Sequence, residues 1–213
     1  MKFSVFSDIL SKIEKKPLPG RPSHLKMMWA QRDQILKHPD TFSENPKKAA
    51  VLAAFYPDLN EETHLLLIKR QGGNGVHAHQ IALPGGKYES YDLDLKETAL
   101  REAYEEVGIL KTQIRSVRAL SSLYIPPSNF IVQPFMALYD KQLPFVLETS
   151  EVHSVIEVPL SVLVREDIVT SQWVQLSQSA KVKVPGFAIG DEWVWGATAM
   201  MLSEIRTILN DVL

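Results

Sequence analysis

The chain has 213 residues, of which 45% are hydrophobic and 23% are charged, and its formal net charge is −2. These values are typical of a globular protein with one substantial core, and they exclude a general basic surface for nucleic acid or anionic membranes. The sequence contains no cysteine, which excludes disulfides and zinc–thiolate sites, and no stretch reaches the roughly 20 apolar residues of a membrane helix, so we expect a cytoplasmic protein.

The chain begins with a predicted helix and an irregular arm. Apolar residues recur there at three- and four-residue spacing, and they are Phe3, Phe6, Leu10 and Ile13. The Pro-Leu-Pro-Gly run from Pro17 ends this helix, because proline cannot continue it. We assign residues 1–48 to the helix and arm, packed on a second region of residues 49–213.

Strands are predicted after the arm. Two apolar runs of strand length, Ala49–Tyr56 and His64–Lys69, flank a turn and predict a hairpin. Later segments give three more strands, a short helix from Pro159, a last hairpin and a closing helix: Gln113–Tyr124, Phe130–Tyr139, Val152–Val158, Val182–Val184 with Phe187–Trp195, and Ala197–Leu213. Intermixed helices and strands predict an α+β fold with a mixed sheet covered by helices.

The stretch from Leu83 to Ile109 has the strongest pattern in the chain. It opens with Pro84-Gly85-Gly86, where two glycines free the backbone for conformations closed to other residues. A run with helical spacing follows, and its apolar side consists of Leu95, Ala99, Leu100, Ala103 and Val107. Gly108 is a typical helix terminator.

Acidic residues cluster on the other side of this predicted helix. Glu102, Glu105 and Glu106 lie within about one turn, and Arg101 is placed to brace Glu105. The helix dipole disfavours acids in the last turn, and the three carboxylates repel one another. Mg²⁺ or Mn²⁺ bound to them would reverse both penalties. The alternative is a solvated acidic face, but the double glycine upstream favours the metal site.

These residues resemble the Nudix box, G-x5-E followed by R-E-hydrophobic-x-E-E-x-G-hydrophobic. The segment here has one extra residue between Gly86 and Arg101, its first acid falls on Asp92, and Ala103 takes the hydrophobic position. The resemblance implies an α/β/α sandwich and a pyrophosphohydrolase that uses Mg²⁺ or Mn²⁺. It assigns catalysis to Arg101 and to the box acids, and metal binding to Glu102, Glu105, Glu106 and the Gly86 carbonyl.

The flanking segments resemble the coenzyme A diphosphatases of that superfamily. Their signature is a leucine-rich strand ending in arginine, then a spacer that closes in H-x-G-Q-I-S-F-P-G-G, and it is similar to Leu65–Arg70 and His77–Gly86 here. Leu123–Phe130 and Trp195–Ala199 also resemble segments of the subfamily. The signature's second arginine falls on Gly75 and its glycine on His79. Losing an arginine removes a bidentate phosphate contact.

Hydrolysis also requires a base and substrate contacts. Our candidate for the base is Glu151, which opens a predicted strand and could equally be a strand-edge glutamate. The candidate substrate-binding residues are Lys69, Arg70, His77, Lys87, Ser128 and Asn129. For the last two, the neighbouring Pro126-Pro127 would by itself explain a rigid turn.

Three functions remain open at this point. The first is hydrolysis of coenzyme A to 3′,5′-ADP and 4′-phosphopantetheine. The second is hydrolysis of another nucleoside diphosphate derivative, such as ADP-ribose or a dinucleotide. The third is a non-catalytic module that senses a nucleotide, which the intact acids disfavour. We expect a small nucleotide as the partner, with no nucleic acid and no membrane, and with a homodimer left open.

Overall fold

A mixed sheet of eight strands lies at the centre of the protein. The computed structural model describes residues 1–13, 16–29, 45–72, 79–140, 144–175 and 181–213. The central strands are β1 (Lys47–Pro57), β2 (Thr63–Arg70), β3 (Ile81–Ala82), β4 (Gly85–Lys87), β5 (Ile114–Ala119), β6 (Leu123–Ile125), β7 (Phe130–Tyr139) and β8 (Val152–Pro159). A second sheet has three strands, β9 (Val169–Gln175), β10 (Lys181–Ile189) and β11 (Glu192–Trp195).

Five α-helices accompany these sheets in the ranges given above. They are α1 (Phe3–Ile13), α2 (Arg21–Leu25), α3 (Leu95–Val107), α4 (Leu160–Leu163) and α5 (Gly196–Asn210). None of them is long and apolar enough to cross a bilayer.

The central sheet runs in the order β3-β2-β1-β7-β5, and β1 is its organising strand. It pairs in parallel with β7 and antiparallel with β2 and β4. The pairing of Ala50 with Gly86 places the double-glycine segment directly beside the centre of the sheet. The mixed sheet and its covering helices confirm the predicted α+β fold.

Both faces of the sheet are buried. Alternate residues of β1 point to opposite faces, so Leu52 packs with α3 while Phe55 packs with α1 and α5. Leu66 and Leu67 of β2 divide in the same way. A strand covered on both faces requires apolar residues at every position, which is why the sequence shows continuous apolar runs there.

The N-terminal arm shares the core of the sheet. The apolar side of α1 is buried as its spacing predicts, and Met27 of the arm is buried as well. The arm is joined to α5 through Glu204, a side chain without solvent exposure that accepts hydrogen bonds from Gly20 N, His24 Nε2 and the backbone and hydroxyl of Ser121. The arm, the loop before β6 and the C-terminal helix therefore meet at one buried carboxylate.

Three sequence predictions of secondary structure are corrected. The single strand predicted at Gln113–Tyr124 is two strands, β5 and β6, which both pair with β7. The last hairpin consists of β10 as one continuous strand and β11, and β9 forms a third strand that the sequence did not predict. A short helix, α2, lies in the arm that we expected to be irregular.

Candidate active site

Helix α3 presents the acidic cluster, and both of its ends are capped. The Asp94 side chain accepts a hydrogen bond from Glu97 N at 2.8 Å, which starts the helix. Gly108 ends it in the left-handed conformation, φ 75°, with hydrogen bonds from Gly108 N to Tyr104 O and from Ile109 N to Ala103 O. The predicted terminator is confirmed, and the helix that carries the acids is capped at both ends.

Arg101 is the centre of an ion-pair network. Its guanidinium holds both carboxylate oxygens of Asp92, through Nε at 2.8 Å and Nη2 at 3.0 Å. Nη1 donates to Glu102 at 2.8 Å and to Glu105 at 2.9 Å, and Nη2 also donates to the Lys87 carbonyl. These contacts raise the pKa of Arg101 and hold the pKa of Asp92 well below its usual range. The expected brace on Glu105 is present, and Asp92 positions the arginine.

Glu106 is the most buried acid of the cluster, with 1% of its side chain exposed. It accepts hydrogen bonds from Gly85 N at 2.8 Å and from Arg70 Nη1 at 3.2 Å. Burial raises the pKa of Glu106 to about 7, against the lowering effect of Arg70 and of the Gly85 N–H. The two donors therefore offset only part of the effect of burial on the charged form of Glu106.

The double glycine lies close to β1 on one side and to Glu102 on the other. Gly85 has φ 151°, and a Cβ there would lie 2.3 Å from Ala50 O in β1. A Cβ on Gly86 would lie 2.4 Å from Glu102 Oε2, so this carboxylate lies directly against the glycine. Burial also raises the pKa of Glu102. The backbone contact requires glycine at position 85, whereas a side chain at position 86 would displace the flexible end of Glu102.

Glu151 lies within electrostatic range of the cluster. Its charge contributes to the raised pKa of both Glu102 and Glu106. The Glu151 carbonyl accepts a 2.7 Å hydrogen bond from Gln71 N, which ties the start of β8 to the end of β2. The structure thus brings the candidate base near the box acids, although the chain separates them by about 45 residues in sequence.

The chemistry of these donors suits a hard divalent cation, because every candidate ligand offers oxygen. Within the ranges described above, no three acidic or histidine side chains form a closed metal-binding group. Arg101 instead bridges Glu102 and Glu105, and Arg70 pairs with Glu106. Burial, and to a smaller extent repulsion by neighbouring acids, raises the pKa of Glu102 and of Glu106, and a bound cation would oppose both effects. The residues therefore fit Mg²⁺ or Mn²⁺.

The two basic residues at the end of β2 separate. Arg70 reaches Glu106, whereas Lys69 Nζ pairs with Glu192 of β11 at 2.6 Å, on the side of the second sheet. Lys87 pairs through Nζ with Glu89, and its carbonyl serves Arg101. Of the predicted substrate cations, Arg70 is the one that directly contacts a box acid among the residues described.

The turn that contains Ser128 and Asn129 makes local contacts. Ser128 Oγ donates to Ile125 O, and Asn129 adopts the left-handed conformation while its side chain accepts from Tyr124 OH at 3.0 Å. Since β1 pairs with both Phe130 and Gly86, this turn lies three residues, or about 10 Å, from the glycines along the strand. His77 and Gly75 lie outside the described residues.

Sequence reasoning missed the direct contact of Arg70 with Glu106. The two residues are 36 positions apart and no periodicity connects them. Two features of the sequence could have indicated this contact. They are the apolar strand that ends in Arg70 and the helix that carries three acids.

Comparison with known proteins gives a consistent result. Residues 46–188 match the family described as the NUDIX domain. The Nudix hydrolase NudL of Yersinia pestis, itself uncharacterized, is 30% identical over 186 residues, which cover 86% of this chain and 90% of that protein. The equivalent Yersinia pseudotuberculosis protein gives the same values.

Two solved structures share the fold at low identity. The Nudix hydrolase RenU of M. smegmatis is 18% identical, with a TM-score of 0.53, and the match covers 81% of this chain and 94% of that chain. A MutT/nudix family protein of Enterococcus faecalis is 16% identical, with a TM-score of 0.54, and covers 88% of this chain and 72% of that one.

Proposed function

Because this chain belongs to the NUDIX domain family and is a Nudix hydrolase, we propose that it cleaves the diphosphate bond of coenzyme A or a coenzyme A derivative. Water attacks one phosphorus and the bridging P–O bond breaks, which gives 3′,5′-ADP and 4′-phosphopantetheine. A cytoplasmic location, expected from the sequence, is part of this proposal.

The observation that carries the proposal is the surroundings of Glu106. The two segments that resemble the coenzyme A diphosphatase signature supply both hydrogen-bond donors of this carboxylate, Arg70 from one and Gly85 from the other. Two of the subfamily-like segments thus meet at one acid of the box. This arrangement supports the substrate assignment more strongly than resemblance in a remote segment would.

We assign the metal ligands to Glu102, Glu105, Glu106 and the Gly86 carbonyl. A divalent cation bound there would neutralise charge on the diphosphate and lower the pKa of a bound water. The chain's own residues orient the ligands: Arg101 donates to Glu105, Gly85 N donates to Glu106, and Gly86 leaves space for the Glu102 carboxylate. Arg70 is placed to hold a phosphate oxygen beside Glu106.

We assign the general base to Glu151. Its charge is felt by Glu102 and Glu106, and its backbone contact with Gln71 anchors it beside Arg70. The Glu151→Gln variant should lower turnover about a hundredfold, the lower end for a positioned base, with metal affinity nearly unchanged. Turnover at the wild-type rate would show that another residue is the base, and it would leave the metal assignment intact.

One observation favours the second candidate, hydrolysis of ADP-ribose or a dinucleotide. The coenzyme A signature has a second arginine where this chain has Gly75, and a glycine where it has His79. His79 adopts φ 58°, and its ring occupies the space where a Cβ on Gly72 would be. A weaker set of phosphate contacts would favour substrates without a 3′-phosphate.

A substrate panel tests the proposal. Coenzyme A, dephospho-coenzyme A, ADP-ribose and a diadenosine polyphosphate are incubated with Mg²⁺ or Mn²⁺, and products are identified by mass. We expect kcat/KM for coenzyme A to exceed that for dephospho-coenzyme A at least about tenfold, the worth of one charged contact. The Glu105→Gln variant is the matched inactive control. Faster cleavage of ADP-ribose than of coenzyme A would favour the second candidate.

A further inference from the structure

Two arginines contact the acids of the candidate site, and the structure holds them to different degrees. The Arg101 guanidinium makes five hydrogen bonds, four to carboxylate oxygens and one to a carbonyl, so nearly all of its donors are used. Arg70 makes a single side-chain hydrogen bond to the described residues, from Nη1 to Glu106 Oε1 at 3.2 Å. Bonds between such charged groups are usually about 2.7–2.9 Å long. Arg70 is therefore lightly held and has donors to spare.

The backbone of Arg70 is fixed at the end of β2. Arg70 N donates to Gln80 O at 3.0 Å. The pairing of β2 with β8 shifts its register at Arg70, and such irregularities re-aim side chains beside active sites. The Arg70 side chain is 33% exposed, whereas Glu106 at its end is 1% exposed. The guanidinium thus reaches a buried acid from the solvent side, and a change of rotamer can move it without moving the strand.

A divalent cation on Glu106 would compete with Arg70. Glu106 Oε2 accepts from Gly85 N at 2.8 Å, and Oε1 accepts from Arg70. The Gly85 amide belongs to β4, which pairs with β1, so this donor cannot move away. The cation and the guanidinium carry charge of the same sign to one buried carboxylate, where salt screens their repulsion poorly. Arg70 is the partner that can leave.

We propose that Arg70 serves two partners in turn: it holds Glu106 before a cation binds, and it holds a diphosphate oxygen of the substrate once a cation has replaced it on Glu106. This inference rests on the metal and diphosphate roles in the proposed function, and it adds an order to binding. The planar guanidinium suits the second partner, because it offers a phosphate two parallel N–H donors. The exchange makes Arg70 available to the anion only after the cation is in place.

Modification of arginine by phenylglyoxal, measured from peptide masses, tests the exchange directly. Mn²⁺ alone should raise the reaction rate of Arg70 at least about threefold, because the guanidinium loses its carboxylate, and methylenediphosphonate added with Mn²⁺ should suppress that rate. Arg115, which pairs with Asp140 on the opposite side of the sheet, is the internal reference and should react at one rate throughout. An Arg70 rate that bound Mn²⁺ leaves unchanged or lowers overturns the proposal.

The binding of Mn²⁺ is followed in the same samples by loss of the paramagnetic resonance signal of the free ion. Protein that binds no Mn²⁺ would overturn the metal assignment and the exchange together. A protein that binds Mn²⁺ and shows the exchange but does not cleave coenzyme A would contradict the substrate assignment alone.

A double-mutant cycle in metal-free buffer is the second test. Phosphorus NMR titration gives the affinity for methylenediphosphonate of wild type, Arg70→Ala, Glu106→Gln and the double variant. Glu106→Gln leaves a neutral acceptor, which holds a guanidinium more weakly than a carboxylate does, so Arg70→Ala should weaken anion binding about tenfold in that background. In wild type, where Arg70 is engaged, the loss should be much smaller. An equal loss in both backgrounds would show that Arg70 holds both partners at once and overturn the proposal. Arg115→Ala in the Glu106→Gln protein is the matched control and should leave the affinity unchanged.

Discussion

Two buried glutamates, Glu106 on α3 and Glu204 on α5, are compensated in opposite ways. Their side chains are 1% and 0% exposed. Glu106 has two hydrogen-bond partners, and burial raises its pKa to about 7. Burial by itself would also raise the pKa of Glu204, but hydrogen bonds from His24 and Ser121 outweigh it and lower that pKa. Two carboxylates with almost no exposed surface therefore have pKa values shifted in opposite directions.

The difference lies in the number and charge of the neighbours. Glu204 receives donors from the arm and from the loop before β6, so its charge is satisfied within the fold. Glu106 instead has the charges of Glu102 and Glu151 nearby, and both raise its pKa further. A buried charge that the protein leaves undercompensated is a characteristic of functional sites. The comparison separates a carboxylate that joins the arm to α5 from one that we propose as a metal ligand.

The largest expected effect is on catalysis. Glu106→Gln keeps an acceptor for Gly85 N–H but removes the charge, so turnover should fall about 10³- to 10⁴-fold, or about 4–5 kcal/mol of transition-state stabilisation. The free energy of unfolding without metal should not fall, because an undercompensated buried charge is removed. Product formation by mass and denaturant unfolding measure the two quantities. Near-normal turnover would contradict the assignment, and the exposed Glu166→Gln is the control.

The second expected effect is on stability. Glu204→Ala leaves His24, Ser121 and the Gly20 N–H without their acceptor, and breaking such a buried pair costs about 3–5 kcal/mol. Turnover per folded molecule should stay close to wild type, the reverse of the Glu106 result. The control is Glu62→Ala, at a solvent-exposed ion pair with the N-terminus and Lys2, which should lose much less. Equal losses of unfolding free energy in both variants would contradict a special structural role for Glu204.

Sequence reasoning identified one of these two glutamates. The acids of α3 lie within about one helical turn and accompany a double glycine and an arginine, so local spacing in the sequence is enough to identify them. Glu204 lies on the apolar helix α5, and its partner His24 is 180 residues away in sequence. No periodicity connects them, since this contact exists only when the arm folds over the C-terminal helix.

The same limit explains the fold predictions. Strands β1, β2 and β7 are covered on both faces and appear as apolar runs, so they could be predicted from the sequence. Strand β9 is mostly exposed and carries polar residues, and only its pairing with β10 makes it a strand. The β5–β6 break lies where Leu120 N bonds back to Pro134 O, a tertiary contact that an apolar pattern does not encode.

The smallest expected effect is a pH dependence that belongs to Glu204. Its folded pKa is lowered, so the ionised carboxylate contributes stability above the unfolded value of about 4.3 and loses it as the pH falls through the folded pKa. The difference in unfolding free energy between wild type and Glu204→Gln should therefore be largest near neutral pH and shrink on acidification. Urea unfolding of both proteins at a series of pH values measures it. His24 is the titratable group that contacts Glu204 in the described structure, and repeating the series with His24→Gln separates its protonation from that of the carboxylate. A difference that stays constant over the whole pH range would show that the charge of Glu204 contributes no stability and that only the shape of its side chain does.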